Sequence, residues 1–321
     1  MARRTERQWV ERLRQRFAAP SAEVQLGIGD DAAILAKSSE AWVCSVDASV
    51  QGVHFDLRYL SLEDVGYRAF QAAVSDLAAM GATPVAALSA LVVPPELSAA
   101  GLDALTLGQQ AASRECQCPV VGGNLSKGKE LSLTTTVMGR VGTPLTRAGA
   151  RPGDQLWLVG PVGLAAAGLA CLRLGRSGGE GPEGAALARS LRAWRRPRAL
   201  LSRGLELAQC ASAGIDISDG LATDARQLAR ASGVRVVVQR EQLRAALDPS
   251  LIATSRALRR SPLQLALYGG EDYALLATGP ACRRPEWAAQ IGWVSRGQGA
   301  WLTCASYSVP LERGYDHLAR S

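Results

Sequence analysis

Two spacings of apolar residues alternate along the chain. Residues 41 to 47, AWVCSVD, carry the two-residue alternation of a strand, whereas residues 61 to 80 have helical spacing. PVAALSALVV, 84 to 93, is apolar enough for a buried strand, and 95 to 115 return to a helical pattern. CPVVGG and the alternating LSLTTTVMGRV complete the first half. Strands outnumber what a strictly parallel crossover pattern needs, so the expected architecture is a mixed sheet with helices on one face. Near the start, Trp9, Val10, Leu13 and Phe17 mark one face of a helix, which predicts an N-terminal helix docked on the body.

The segment TPLTRAGARPGD, 143 to 154, concentrates turn formers and sets the expected domain boundary, giving domains over 1–146 and 147–321. Beyond it QLWLVG reads as a strand entering the helix VGLAAAGLACLRLG. AGIDIS, DGLATDARQLARAS, VRVVV and YALLAT then alternate strand, helix, strand and strand, so a second α/β domain is expected. LGRSGGEGPEG, 174 to 184, has almost no core-forming residues and predicts a surface loop.

Composition narrows the function classes. The net charge is +7, but the basic residues are scattered singly and only Lys37, Lys127 and Lys129 are lysines, which argues against a nucleic-acid stripe. Seven cysteines include no C-x-x-C pair, and Cys116 and Cys118 are expected to be reduced thiols. No apolar run approaches the roughly 20 residues that span a bilayer, and the basic N-terminus carries Glu6 and Glu11 without an apolar segment. The expectation is a cytoplasmic protein that binds neither membrane nor nucleic acid.

Carboxylates gather near strand ends and glycines: Asp30 and Asp31 in GIGDDAAIL, Asp47 in SVDAS, Asp216 and Asp219 in GIDISDGL, Glu271 and Asp272 in YGGEDYAL. Such Asp, Gly and Ser mixtures suit a hard cation, because Mg²⁺ takes oxygen ligands from a few carboxylates and from substrate phosphates. A plainer reading makes several of them turn residues, with Ser218 or Asp219 capping the helix that follows. Asp76 lies among the core-spaced Val74, Leu77 and Met80, where an acid needs a partner. In VVGGNLSKGK, 120 to 129, two glycines between a strand and a lysine-bearing loop suggest a backbone cradle for phosphate. No G-x-x-x-x-G-K-[ST] loop occurs, and no G-x-G-x-x-G follows a strand. His54 and His317, the only histidines, lie in no Ser or Cys motif. Transfer chemistry carried by metals and positioning remains.

GIGDDAAIL, SVDASVQGVHF, SDLAAMGATP, VVGGN, LTRAGARPGD, DISDGL, GGEDYAL and GYDHL together resemble the thiamine-monophosphate kinase family, of the aminoimidazole ribonucleotide synthetase-like superfamily. The resemblance implies a two-domain α/β (α+β) fold whose N-terminal ATP/Mg-binding domain pairs in a homodimer and whose C-terminal domain closes the active-site cleft. It implies ATP as co-substrate, several Mg²⁺ ions, and phosphorylation of thiamine monophosphate to thiamine diphosphate. Carried over, Asp31, Ser45, Asp47, Asp76, Asp216 and Asp219 match metal positions. Gly123, Asn124, Arg147 and Ser218 match nucleotide contacts, while His54, Glu271 and Tyr315 match substrate contacts. Asp216, Asp219 and Arg147 would carry catalysis, the guanidinium stabilising charge on the transferring group.

This chain departs from the family pattern at Asn124 and Val46, each of which removes an oxygen ligand or a charge that would serve magnesium, and at Ala48 and Ala274. The departures predict weaker occupancy of one metal, with the magnesium held mainly by acids from other segments. Two alternatives stay open: a catalytically impaired or regulatory nucleotide-binding relative, and a same-superfamily enzyme with a different small acceptor.

Overall fold

The computed structural model describes residues 6–17, 22–26 and 34–312. They form two compact units, Met1–Leu77 with Ala82–Thr143 and Ala78–Gly81 with Pro144–Ser321.

The first unit runs α1 (Glu6–Phe17), β1 (Val24–Leu26), β2 (Ile34–Leu35), β3 (Ala41–Val50), α2 (Leu62–Ala79), β4 (Thr83–Val93), α3 (Ala99–Glu115), β5 (Val120–Lys127) and β6 (Ser132–Val141). Four strands form a mixed sheet in the order β3-β6-β4-β5. β6 is antiparallel to both its neighbours. β4 and β5 are parallel, and α3 supplies the crossover that parallel neighbours require. One face is closed by helices: Leu77 of α2 reaches Gly139, and Gln109 of α3 donates to Ser89 Oγ at 2.9 Å. The core beneath holds Phe70, Val74, Leu105, Leu133 and Val137, each fully buried and each worth about 1.5–3 kcal/mol by transfer from water. α2 and α3 touch backbone to backbone. A Cβ on Gly66 would lie 1.9 Å from Leu105 O, and one on Gly108 would lie 1.9 Å from Glu63 O, so the contact admits only glycine on both sides.

On the other face of the same sheet β3 presents Trp42, Cys44 and Val46 to solvent, with Val46 63% exposed. Val24 and Leu35 cover part of it around Val85, Ala86 and Val121. The N-terminal helix docks as its pattern predicts: Trp9 and Phe17 are buried, and Arg16 Nη2 pairs with Asp103 of α3 at 3.1 Å. The side chain of Val10 lies outside the described residues.

The second unit contains β7 (Gln155–Val159), α4 (Leu164–Arg173), α5 (Gly181–Arg195), α6 (Leu201–Ala208), β8 (Ala213–Ile217), α7 (Leu221–Ser232), β9 (Arg235–Gln239), α8 (Arg240–Ala246), α9 (Pro249–Ala257), α10 (Pro262–Tyr268), β10 (Ala274–Gly279), β11 (Ala289–Ser295), β12 (Gly299–Cys304) and β13 (Tyr307–Pro310). Its seven strands are ordered β13-β12-β9-β11-β7-β10-β8. Only β12 and β9 pair in parallel, so this sheet is mixed too. Leu156 and Leu158 face the main core with Leu187, Leu228 and Leu251 of the helices. The alternate residues Trp157 and Val159 enter a smaller cluster with Leu207 of α6. β7 and β10 are thus apolar on both faces, which explains why their sequences read as continuous apolar runs.

Three local differences from the sequence expectations have plain causes. β3 continues to Val50, because its pairing with β6 extends through Val50↔Ser132, and Asp47 is therefore inside the strand. The segment 122–127 is strand, not loop: Gly122 to Lys127 pair with Leu88 to Val93 of β4. The Gly-rich stretch stays irregular to residue 180, after which residues 181–184 wind into the first turn of α5 behind Pro182.

Candidate functional site

In the first unit the alternation of β3 turns Ser45 and Asp47 toward the helical face. Ser45 Oγ donates to Oδ2 of Asp76, which α2 holds on its sheet-facing side. That bond is the partner an acid on a core stripe requires. Asp47 pairs in register with Thr135, and the same row continues through Ser89 to Gly123. Beneath it Thr135 Oγ1 and Gln109 Oε1 are buried polar atoms without a hydrogen-bond partner among the described residues. Gly123 has φ +153°, and a Cβ there would lie 1.9 Å from Ser89 O, so β4 itself demands the glycine. Asn124 is exposed and pairs with Ala90, in the row of Thr134 and Ala48, so it faces away from Asp47, and the expectation that Asn124 removes a magnesium ligand beside Asp47 is revised.

Val46 projects from the face opposite Ser45 and Asp47. The expectation that Val46 removes an oxygen ligand beside Asp47 is therefore revised, since neighbours on a strand cannot share a face. At the end of β3 a turn returns His54 to the strand: its amide donates to Val50 O at 2.9 Å and its Nδ1 accepts from Val50 N at 3.1 Å. An accepting Nδ1 puts the proton of the neutral ring on Nε2.

The second unit gathers a separate acidic cluster where β8 leads into α7. Ile215 and Ile217 enter the core, so period two turns the buried Asp216 to the other face. Ser218 and Asp219 form the bend that follows, and Gly220 at φ +102° is the N-cap of α7, with no side-chain cap hydrogen bond. The plain reading of Ser218 or Asp219 as cap does not hold. Asp224, in the first turn of α7, accepts instead from the Asp219 amide at 3.2 Å.

Asp224 is almost wholly buried, and burial, reinforced by the charges of Asp216 and Asp219, pushes its carboxyl up to about 8; Arg147 acts in the opposite sense. Gln227 bridges the two, its Nε2 donating to Asp224 Oδ1 at 3.3 Å and its Oε1 accepting from Arg147 Nη1 at 2.8 Å. Asp224 and Gln227 were absent from the sequence-based candidates. The signal was present: Leu221, Ala225 and Leu228 set a buried stripe on which Asp224 falls, as Asp76 does on α2.

The GGEDY segment packs against this bend. Glu271 N donates to Ser218 O at 2.7 Å, and Tyr273 N donates to Ile217 O at 3.0 Å. Glu271 and Tyr273 both hold left-handed backbone, φ +66° and +51°, a conformation that costs a non-glycine residue about 1 kcal/mol or more. Glu271 Oε2 accepts from Trp194 Nε1 at 3.0 Å. Asp272 receives the amides of Gly163 and Ala165 at 2.5 and 3.0 Å, so it closes the start of α4. Among the sequence-based candidates, Asp216, Ser218, Asp219, Arg147 and Glu271 come together here, while Ser45, Asp47 and Asp76 come together in the first unit. Asp31 and Tyr315 lie outside the described residues.

Among the described residues no three of His, Cys, Asp or Glu form a ready cation cage. Magnesium does not need one, since it keeps several waters and takes one or two carboxylates plus phosphate oxygens. The all-oxygen donors fit that habit, and so do the charges of Asp216 and Asp219, which add to burial in raising the Asp224 carboxyl. Orphaned Thr135 Oγ1 beside the Asp47 row adds an unspent polar atom.

Comparison with known proteins follows the same outline. Residues 29–141 match "AIR synthase related protein, N-terminal domain", and residues 151–299 match the corresponding C-terminal domain. A thiamine-monophosphate kinase of Aquifex aeolicus is 34% identical over 86% of this chain and 88% of its own length. One from Salmonella typhimurium is 32% identical over 97% of both. The crystal structure of thiamine-monophosphate kinase from Stenotrophomonas maltophilia K279a superposes with a TM-score of 0.81 at 32% identity, covering 91% of this chain and 94% of that one. AaThiL complexed with AMPPCP and TMP superposes at 0.77, also with 32% identity, over 92% and 93%.

Proposed function

The chain belongs to the thiamine-monophosphate kinase family of AIR synthase related proteins, and on that premise we propose that it transfers the γ-phosphoryl group of ATP to thiamine monophosphate, giving thiamine diphosphate and ADP. An oxygen of the acceptor phosphate bonds to the γ-phosphorus while the bond to the β,γ-bridging oxygen breaks, and ADP leaves with that electron pair. A phosphate monoester is largely dianionic at neutral pH, so its oxygen needs no strong general base. That agrees with a chain holding only two histidines. The protein's task is positioning and charge stabilisation.

Arg147 would offer its guanidinium fork to the transferring group, with Gln227 fixing its direction. Gly123, Asn124 and Ser218 would contact the nucleotide; His54, Glu271 and Tyr315 would contact the acceptor, His54 through a donating Nε2. Asp47 and Asp76 in one unit, and Asp216 and Asp219 in the other, would hold Mg²⁺, with Asp31 and Ser45 contributing. When bound, Mg²⁺ would supply positive charge to the phosphate oxygens. The observation that carries the reading is the acidic bend at Asp216 to Asp219, with Arg147 and the strained Glu271 beside it.

Residues 1–146 would also supply self-association. The exposed face of β3, with Trp42 and Val46, offers an apolar surface that a second copy could cover. All seven cysteines are free thiols and no helix of the described residues is long and apolar enough to cross a membrane, in keeping with the cytoplasmic setting proposed. Incubating the purified protein with ATP, Mg²⁺ and thiamine monophosphate should yield thiamine diphosphate by chromatography. Turnover only with another acceptor, or ATP binding with no turnover, overturns the proposal.

A further inference from the structure

The three short helices α8, α9 and α10 border an open cleft of about 410 Å³ lined by Arg240, Arg244, Arg256 and Arg260 and by an aliphatic wall. None of the residues assigned to phosphoryl transfer lines it. Arg240 and Arg244 are four apart on α8 and so present both guanidinium stems on one side, while Arg256 sits in the last turn of α9 and Arg260 in the link that follows it.

No acidic side chain lines the cleft, and among the described residues none of the four arginines is ion-paired to Asp or Glu. Elsewhere arginines do find acids: Arg189 pairs with Asp248 at 2.7 Å, in the very turn between α8 and α9, and Arg203 pairs with Glu206 at 3.1 Å. Asp248 is thereby turned to Arg189 and to the Ser250 amide, which it caps at 2.8 Å. Arg240 Nη1 has only the hydroxyl of Tyr307, at 3.4 Å.

Two residues beyond α9 Arg259 takes φ +53°, and Arg260 N closes on Ser255 O at 2.9 Å, an ordinary helix-terminating turn. That turn carries Arg260 and Ser261 into the lining.

We infer that this cleft is a second binding site, separate from the phosphoryl-transfer residues, for a small organic phosphate with an apolar body. Guanidinium forks match phosphate oxygens two at a time, and four of them favour a dianion over a single carboxylate. The aliphatic wall of Leu247, Ile252, Pro262 and Leu263 offers apolar surface to the other end of the ligand. The volume falls in the range of small-molecule sites.

Phenyl phosphate is a suitable probe, titrated calorimetrically into the full chain in the presence of saturating AMPPCP and thiamine monophosphate. It should bind with a Kd of about 1 mM or tighter at low salt, more tightly than inorganic phosphate, and weaken as salt is added. Arg256→Gln combined with Arg260→Gln should weaken it about tenfold or more, while thermal midpoint and kinase turnover stay unchanged, since both side chains are exposed. Three results would each overturn the inference: no saturation at about ten times that concentration, undiminished binding by the double variant, or inorganic phosphate binding as tightly as the ester.

Discussion

Replacing Asp216 or Asp219 by Asn removes a charge and almost no volume. If these carboxylates hold a cation against phosphate, each replacement should lower kcat about 100-fold or more. The thermal midpoint should move by only a few degrees, because neither residue caps α7. Parallel losses of activity and stability, measured by turnover and by thermal melting, would return both residues to a structural role. Asn124 falls in the row of Ala90, Thr134 and Ala48, on the Val46 face of the sheet, so Asn124→Asp should leave the Mg²⁺ concentration needed for half-maximal rate unchanged; a lower requirement would bring Asn124 to the metal. The thiols offer an independent check on burial. Burial pushes Cys116 up to about 12 and raises Cys118 further still, whereas Cys44 and Cys282 are exposed. Native protein treated with a disulfide reagent at about pH 8 should therefore label Cys282 well before Cys116 and Cys118, which wait until it unfolds.

At the scale of elements, the contact between α2 and α3 is the most exacting. Gly108→Ala should destabilise the protein by about 1–3 kcal/mol in urea unfolding, because the added methyl meets Glu63 O, a backbone atom that cannot rotate away. A cost near zero would mean that the helices separate freely. Elements of this kind were legible from spacing. Residues 61 to 80 and 84 to 93 become α2 and β4 within two residues at each end, since long amphipathic or apolar segments fix their own period. The strand 122–127 was not legible. Two glycines and a lysine look like a loop locally, and only β4 on one side, a partner distant in sequence, makes them extended. The site divides similarly. Asp216 and Asp219 stand out beside glycine and serine, whereas Asp224 hides among alanines of α7, and its effect becomes visible only when its neighbours' charges are placed around it.

For the whole molecule the question is assembly. If the outer face of β3 joins two copies, Val46→Glu should shift the protein toward monomer in light scattering and leave each chain folded, because Val46 contributes nothing to its own core. An unaltered mass would remove that face from the interface. Chelation of divalent ions should abolish turnover without lowering that mass.

β3 is a single ribbon addressed to two audiences. Its odd-numbered side chains answer to Asp76 and the helices, and its even-numbered ones answer to whatever lies beyond the sheet. If the outer face joins two copies, drift at positions 42, 44 and 46 would retune self-association while Ser45 and Asp47 stay fixed on the reverse side, and the two traits would evolve at different speeds within ten consecutive residues.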